Sequence, residues 1–172
     1  YMFMSQRSNQ KNPSLIADNG PMVYIANAMT PFSPADVTIY SNCDSVTPTY
    51  NNGGKVYTYA KAKNRVGMPS TISTFKDVFH VMDDKELSRQ KKQSDSYLLA
   101  QGYVDGKLVA TQQVKPTRRP SRIKLWVDNE GTALHADGSD MVTVVAGISD
   151  DQGNIKRLNN EHVLFAVEGE GR

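Results

Sequence analysis

Apolar residues along this chain come in short runs with a two-residue period, separated by clusters of turn-forming residues. Met22-Val23-Tyr24-Ile25-Ala26 and Val37-Thr38-Ile39-Tyr40 read as strands, with Pro31 and Pro34 forcing an extended connection between them. After the turn Asn51-Asn52-Gly53-Gly54, Lys55 to Ala60 alternates, with Val56 and Thr58 on one face and Tyr57 and Tyr59 on the other. The clearest hairpin joins Leu98–Val104 to Lys107–Val114 through Asp105-Gly106. That pair is a type I′ signature, whose positive φ values match the right-handed twist of paired strands. Ile123, Leu125 and Val127 alternate with Lys124, Trp126 and Asp128 as a further half-buried strand. Met141 to Ile148 places Val142, Val144, Ala146 and Ile148 on one face, and Val163, Phe165 and Val167 mark one more strand.

One segment departs from this period. Phe75, Val78, Phe79 and Met82 follow the i, i+3, i+4, i+7 spacing of an amphipathic helix, with Thr74 as N-cap and Asp77 three residues on. The charged stretch from Asp83 to Lys92 reads as its solvated extension. The first twenty residues pass from an aromatic and Met cluster to a polar stretch ending at Asn19-Gly20-Pro21, which reads as a helix remnant and a linker. The expected fold is all-β: an immunoglobulin-like β-sandwich over 21–128 with a helical insertion near 74–92, then part of a second immunoglobulin-like sheet over 129–172. The few strands after 128 fall short of the seven or so of a closed sandwich, so an open edge there would invite pairing with another chain, including a second copy.

Composition narrows the function classes. With 172 residues the chain has room for one ordinary domain or two small ones. Its apolar share of 38% lies below the roughly 45 to 50% of typical domains, so thin cores are expected. A net charge of +2 gives no reason to expect nucleic acid or membrane as a partner. No stretch approaches the roughly 18 uninterrupted apolar residues of a membrane span. One cysteine, Cys43, excludes an internal disulfide and the multi-cysteine zinc patterns. The start at Tyr1 and the stop after Glu168-Gly169-Glu170-Gly171-Arg172 read as a piece of something longer.

Candidate chemistry is sparse. Asp137, Asp140, Asp150 and Asp151 sit in polar turns, where nothing raises one carboxyl into the range of a general acid. The same turns offer oxygens but lack the register of a calcium loop. His80, His135 and His162 lack metal-ligand spacing, Ser139 lacks a nucleophile-elbow pattern, and Cys43 reads as a packed strand end. No catalytic residue, metal site or cofactor is therefore expected. Arg89-Gln90-Lys91-Lys92 and Lys115 to Arg122 carry no interleaved aromatics for stacking bases, and Pro116 and Pro120 suit the second stretch to a stiff connection between modules.

Four blocks carry a resemblance. They are Tyr1-Met2-Phe3-Met4-Ser5-Gln6-Arg7, Pro21-Met22-Val23-Tyr24-Ile25-Ala26-Asn27, Tyr40-Ser41-Asn42-Cys43-Asp44-Ser45-Val46 and Leu134-x-Ala136-Asp137-Gly138-Ser139-Asp140. The last continues through Asp151-x-Gly153-Asn154 to Val163-x-Phe165-x-Val167-x-Gly169-x-Gly171. In this order they resemble β-galactosidase-like enzymes of glycoside hydrolase family 2, the Bacteroides type above all, over nearly the whole chain. The resemblance implies a C-terminal region that runs from the end of a catalytic barrel into the immunoglobulin-like domains behind it. Its partner would be that barrel, and its location the periplasm or the exterior. No position matches the family's catalytic motifs. A rival reading is a carbohydrate-binding module, in which exposed Tyr57, Tyr59, Tyr103 and Trp126 stack on an oligosaccharide. Strand alternation makes burial of these rings equally natural.

Overall fold

The computed structural model describes the chain except residues 16–18, 52–54, 57, 61–71, 90–95, 129–132, 136 and 170–172. It divides into two compact units, Tyr1–Pro116 and Thr117–Arg172. The first unit is an immunoglobulin-like sandwich. One sheet has the order β1 (Val23–Ile25), β2 (Val37–Ser41), β6 (Ile72–Phe75), all antiparallel. The other runs β4 (Lys55–Val56), β3 (Ser45–Tyr50), β7 (Leu98–Val104), β8 (Lys107–Val114), with β5 (Tyr59–Ala60) also on β3. β4 and β5 follow one continuous register along β3. Between their pairing positions lies Pro48, which has no N–H to give to a ladder.

The two-residue period explains these strands. Val37, Ile39 and Ser41 of β2 are buried while Thr38 and Tyr40 are half-exposed, and Val46, Pro48 and Tyr50 of β3 alternate in the same way. The inward residues form one core with Ile25, Phe75, Leu98 and Ala100. Burial of a side chain such as Ile39 or Leu98, each 1% exposed, stabilises by about 1.5 to 3 kcal/mol. Phe79 meets Tyr50 edge to face with centroids 5.9 Å apart. Gly102 lets backbone and side chains close up at one corner, since a Cβ there would lie 2.6 Å from Cys43 Sγ and 2.7 Å from Val23 Cγ1. The β7–β8 hairpin turns at Asp105 (φ 49°) and Gly106 (φ 72°), as its type I′ signature requires.

The helix lies later than its apolar spacing suggests. Phe75 closes strand β6, paired with Val37, and Thr74 pairs with Thr38 instead of capping a helix. Asp77 takes φ 55°, and the N–H groups of Val78 and Phe79 both donate to the Ala35 carbonyl at 2.9 Å. The helix α1 is Val81–Arg89, and Met82 is 66% exposed on it. The i, i+3, i+4 spacing arose because a strand end and a looped segment each send apolar side chains into the same core, and the β2–β6 ladder overrode local helix preference.

The boundary between modules also moves. β9 (Arg122–Asp128) pairs over seven residues with β10 (Thr143–Ser149), so it belongs to the second unit, which begins at Thr117 instead of residue 129. Pairing places Ile123, Leu125 and Val127 opposite Ile148, Ala146 and Val144 on one face. The stretch around Val163, Phe165 and Val167 pairs with no strand among the described residues, so its alternation alone does not make it part of a sheet.

Candidate functional site

The most elaborate polar arrangement of the first unit is built around Ser41-Asn42-Cys43, where β2 turns into β3. Asn42 is 2% exposed and uses both ends of its amide. Its Oδ1 accepts the Met22 N–H at 2.7 Å, while Nδ2 donates to the carbonyls of Gly20 at 2.8 Å and Ser8 at 3.3 Å. Ser41 Oγ donates to the Met22 carbonyl at 2.8 Å and accepts the Cys43 N–H at 3.0 Å. Two adjacent side chains thus fasten residues 8, 20 and 22 to the end of one strand. A strand that alternates in and out would not bury an amide unless its polar groups were satisfied, and here backbone supplies the partners.

The segment so fastened is ordered by its own short-range bonds. Ser5, fully buried in the 3₁₀ turn Met4–Gln6, donates its hydroxyl to the Met2 carbonyl at 2.7 Å and its N–H to the Tyr1 carbonyl at 2.9 Å. Tyr1 stacks on Tyr24 with centroids 3.6 Å apart and planes 6° from parallel, and Tyr24 lies beside its cross-strand partner Tyr40 at 6.4 Å. The three rings form a ladder on the outer face of the β1–β2–β6 sheet. The cavity between this segment and β1, lined by Met4, Arg7, Gly20 and Met22, holds about 30 Å³. That is room for a water molecule or two and not for a sugar ring. Asn27, 6% exposed, does similar work on the next loop, donating to the Pro34 carbonyl at 3.0 Å and accepting the Met29 N–H at 2.8 Å.

In the second unit the aspartates are spent on turns. Asp150 is fully buried and accepts the N–H groups of Arg118, Gln152 and Asn154 at 3.0, 3.0 and 2.9 Å, and the Asn154 amide at 3.1 Å. Burial pushes its carboxyl up, but these donors together outweigh burial and hold it below its ordinary value. Asp137 is lowered by the Ser139 hydroxyl at 2.7 Å and the Ser139 N–H at 2.9 Å. Asp140 accepts the His135 N–H at 2.7 Å, and Asp151 faces Arg118 at 3.6 Å. A general acid needs a raised carboxyl, and Asp137 and Asp150 are both moved the other way. Among the described residues no three His, Cys, Asp or Glu side chains gather as a metal site.

Of the aromatic residues singled out as a sugar platform, Tyr59, Tyr103 and Trp126 are described, each in a different strand. Tyr57 lies outside the described residues. Tyr59 pairs with Val46 through its backbone in β5. Tyr103 is half-buried in β7, just past a bulge at Gly102, and its carbonyl accepts the Asp44 N–H at 2.9 Å. Trp126 belongs to the second unit, 38% exposed, with its ring over Gly147, where a Cβ would come within 3.0 Å of Cζ3. Tyr103 and Trp126 therefore sit in different compact units. His80 pairs with Asp77 at 3.1 Å and His135 with Asp140 at 3.6 Å, each beside its own turn, and His162 is exposed. Sequence reasoning passed over Asn42, for which the signal was a polar residue set between two strands that both bury their alternate positions.

No known protein-family profile matches the chain. A β-galactosidase of Thermoanaerobacter pseudethanolicus is 28% identical over 168 residues, which are 95% of this chain and 21% of that protein. The chain thus spans about a fifth of the length of this curated relative. Among solved structures, a β-glycosidase from Bacteroides vulgatus superposes with a TM-score of 0.54 at 18% identity, over 80% of this chain and 15% of that one. A β-glucuronidase of glycoside hydrolase family 2 gives 0.51 at 22%, over 78% and 12%. A family 2 member from Bacteroides cellulosilyticus gives 0.51 at 19%, over 88% and 18%. The fold is one found within family 2 enzymes. The resemblance to β-galactosidases carried by the four sequence blocks holds over nearly the full chain.

Proposed function

We propose, from a chain similar to a β-galactosidase along its length and folded like parts of family 2 enzymes, that it is the non-catalytic rear of a larger β-galactosidase-like glycosidase. The observation that carries this reading is the match that takes in 95% of this chain but 21% of its relative. Retaining glycoside hydrolysis needs two carboxyl groups about 5 to 5.5 Å apart, one of them held as an acid. Asp137 and Asp150 are instead lowered by hydrogen bonds within turns. Chemistry then belongs to a catalytic barrel elsewhere in the parent, and this chain's work is mechanical. Asn42 and Ser41 fix residues 8 to 22 on the sandwich, so a barrel joined through Tyr1 would be held at a set orientation. Phe3, 80% exposed, and Met2, 41% exposed, are apolar groups that such a barrel would cover. By the same resemblance the parent is periplasmic or secreted.

Purified chain incubated with an aryl β-galactoside is expected to release no product, and turnover above buffer would sink the reading. Joined to the barrel region of its own reading frame, the chain should raise the thermal midpoint of that barrel. Retention on a polysaccharide affinity gel, lost when Tyr103 and Trp126 are changed to Ala, would instead favour the binding-module reading.

A further inference from the structure

The second unit has a sheet edge with an unusual sequence. β9 pairs with β10 on one side, and among the described residues no strand lies on its other side. The far edge of β10 is partly covered, since the Lys156 N–H donates to the Ile148 carbonyl at 2.8 Å and Ile155 bridges to Ser149. Backbone groups alternate in direction along an antiparallel strand. With the Ile148 carbonyl turned away from β9, its partner Ile123 turns its own N–H and C=O away from β10, and Leu125 and Val127 follow. These three residues present their backbone groups at the open edge with side chains 59%, 61% and 49% exposed.

The sequence Arg122-Ile123-Lys124-Leu125-Trp126-Val127-Asp128 complements its own reverse. We propose that two copies of the chain associate through antiparallel pairing of β9 with β9 about a two-fold axis at Leu125, giving a continuous four-stranded sheet. In that register the outward-turned residues meet each other, so Leu125 faces Leu125 of the second copy and Ile123 faces its Val127, each as a hydrogen-bonded pair. On the opposite face Arg122 meets Asp128 at both ends, and Lys124 lies across from Trp126, an ammonium over an indole. A shift of two residues toward the N-terminus sets Lys124 against Lys124. The same shift toward the C-terminus leaves Arg122 and Ile123 without partners inside the strand. The self-complementary charge pattern therefore selects both the occupant, a second copy, and the register. This inference stands apart from the glycosidase reading and survives its failure.

Sedimentation equilibrium of the full chain should show a reversible step from 19.0 kDa to twice that mass as concentration rises. Asp128→Arg should weaken association about tenfold by placing like charges opposite each other, and Arg122→Asp added to it should restore the original affinity within about threefold. Leu125→Cys should form a covalent dimer on mild oxidation, because hydrogen-bonded partners have Cα atoms about 5.5 Å apart, within disulfide range. Lys124→Cys, whose partner is Trp126, should not. Cys43 is buried at 1% exposure, so the unmodified chain serves as the blank. A strict monomer at every concentration, a dimer indifferent to the Arg122 and Asp128 changes, or cross-linking through Lys124→Cys in place of Leu125→Cys would each overturn the proposal.

Discussion

Two side chains show how much of the packing depends on single polar groups. Asn42→Ala removes the acceptor of the Met22 N–H and the donor to Gly20, leaving buried backbone groups without partners at a cost of about 2 to 3 kcal/mol. Urea unfolding should show that loss, and limited proteolysis should cut residues 7–22 faster; unchanged cleavage would mean the clamp does not hold the segment. Asp150 is the acidic counterpart. Because its folded carboxyl titrates below its ordinary value of 3.8, the stability it lends is complete above about pH 4 and drains away as pH falls through the lower folded value. Asp150→Asn should flatten that acid decline in the 117–172 unit while lowering its stability at pH 7 by roughly 1 to 3 kcal/mol, as donors aimed at a carboxylate lose their charged partner. A pH profile of hydrogen exchange at the Gln152 and Asn154 amides checks it. Neither residue's role was visible in its identity alone. Asn and Asp between strands read as ordinary turn formers, and the bonds that distinguish these two come from segments 20 and 32 residues away.

At the scale of elements, period and turn chemistry were legible and context was not. The β7–β8 hairpin followed from Asp105-Gly106 and two alternating runs because every determinant of it is local. β2 and β3 followed from alternation in the same way. The helix lies within the expected 74–92, but its start was set too early because Phe75, Val78, Phe79 and Met82 satisfy a helical period by coincidence. Phe75 is instead held by pairing with Val37, 38 residues earlier. The expected strand around Val163 shows the converse limit. A strand is completed by its neighbour, and alternation states only which face would be buried if a neighbour came. The edge of β9 is the complementary case, since its sequence matches a partner strand that none of the described residues supplies.

For the molecule as a whole, the division at Pro116 separates a unit with a continuous core from one in which the described residues form a single pair of strands. Every residue of that core lies before the division. A chain ending at Pro116 should therefore keep its thermal midpoint within about 5 °C of the full chain, followed by circular dichroism. A fall of more than about 10 °C would show that residues 117–172 support the sandwich. The low apolar share of the sequence fits this arrangement, because a two-stranded sheet with exposed Ile123, Leu125 and Val127 buries little by itself.

The sequence by itself determined the all-β class, the type I′ hairpin and the resemblance to β-galactosidases, since each rests on local period, turn residues or ordered blocks. Only the tertiary structure decided where the first module ends, that Phe75 is a strand residue, that the Tyr103 and Trp126 rings belong to different units, and that Asn42 and Asp150 hold distant segments together. The physical reason is the same throughout. Backbone preference is set within a few residues, whereas burial, ladder pairing and satisfaction of polar groups are settled by what another part of the chain brings into contact.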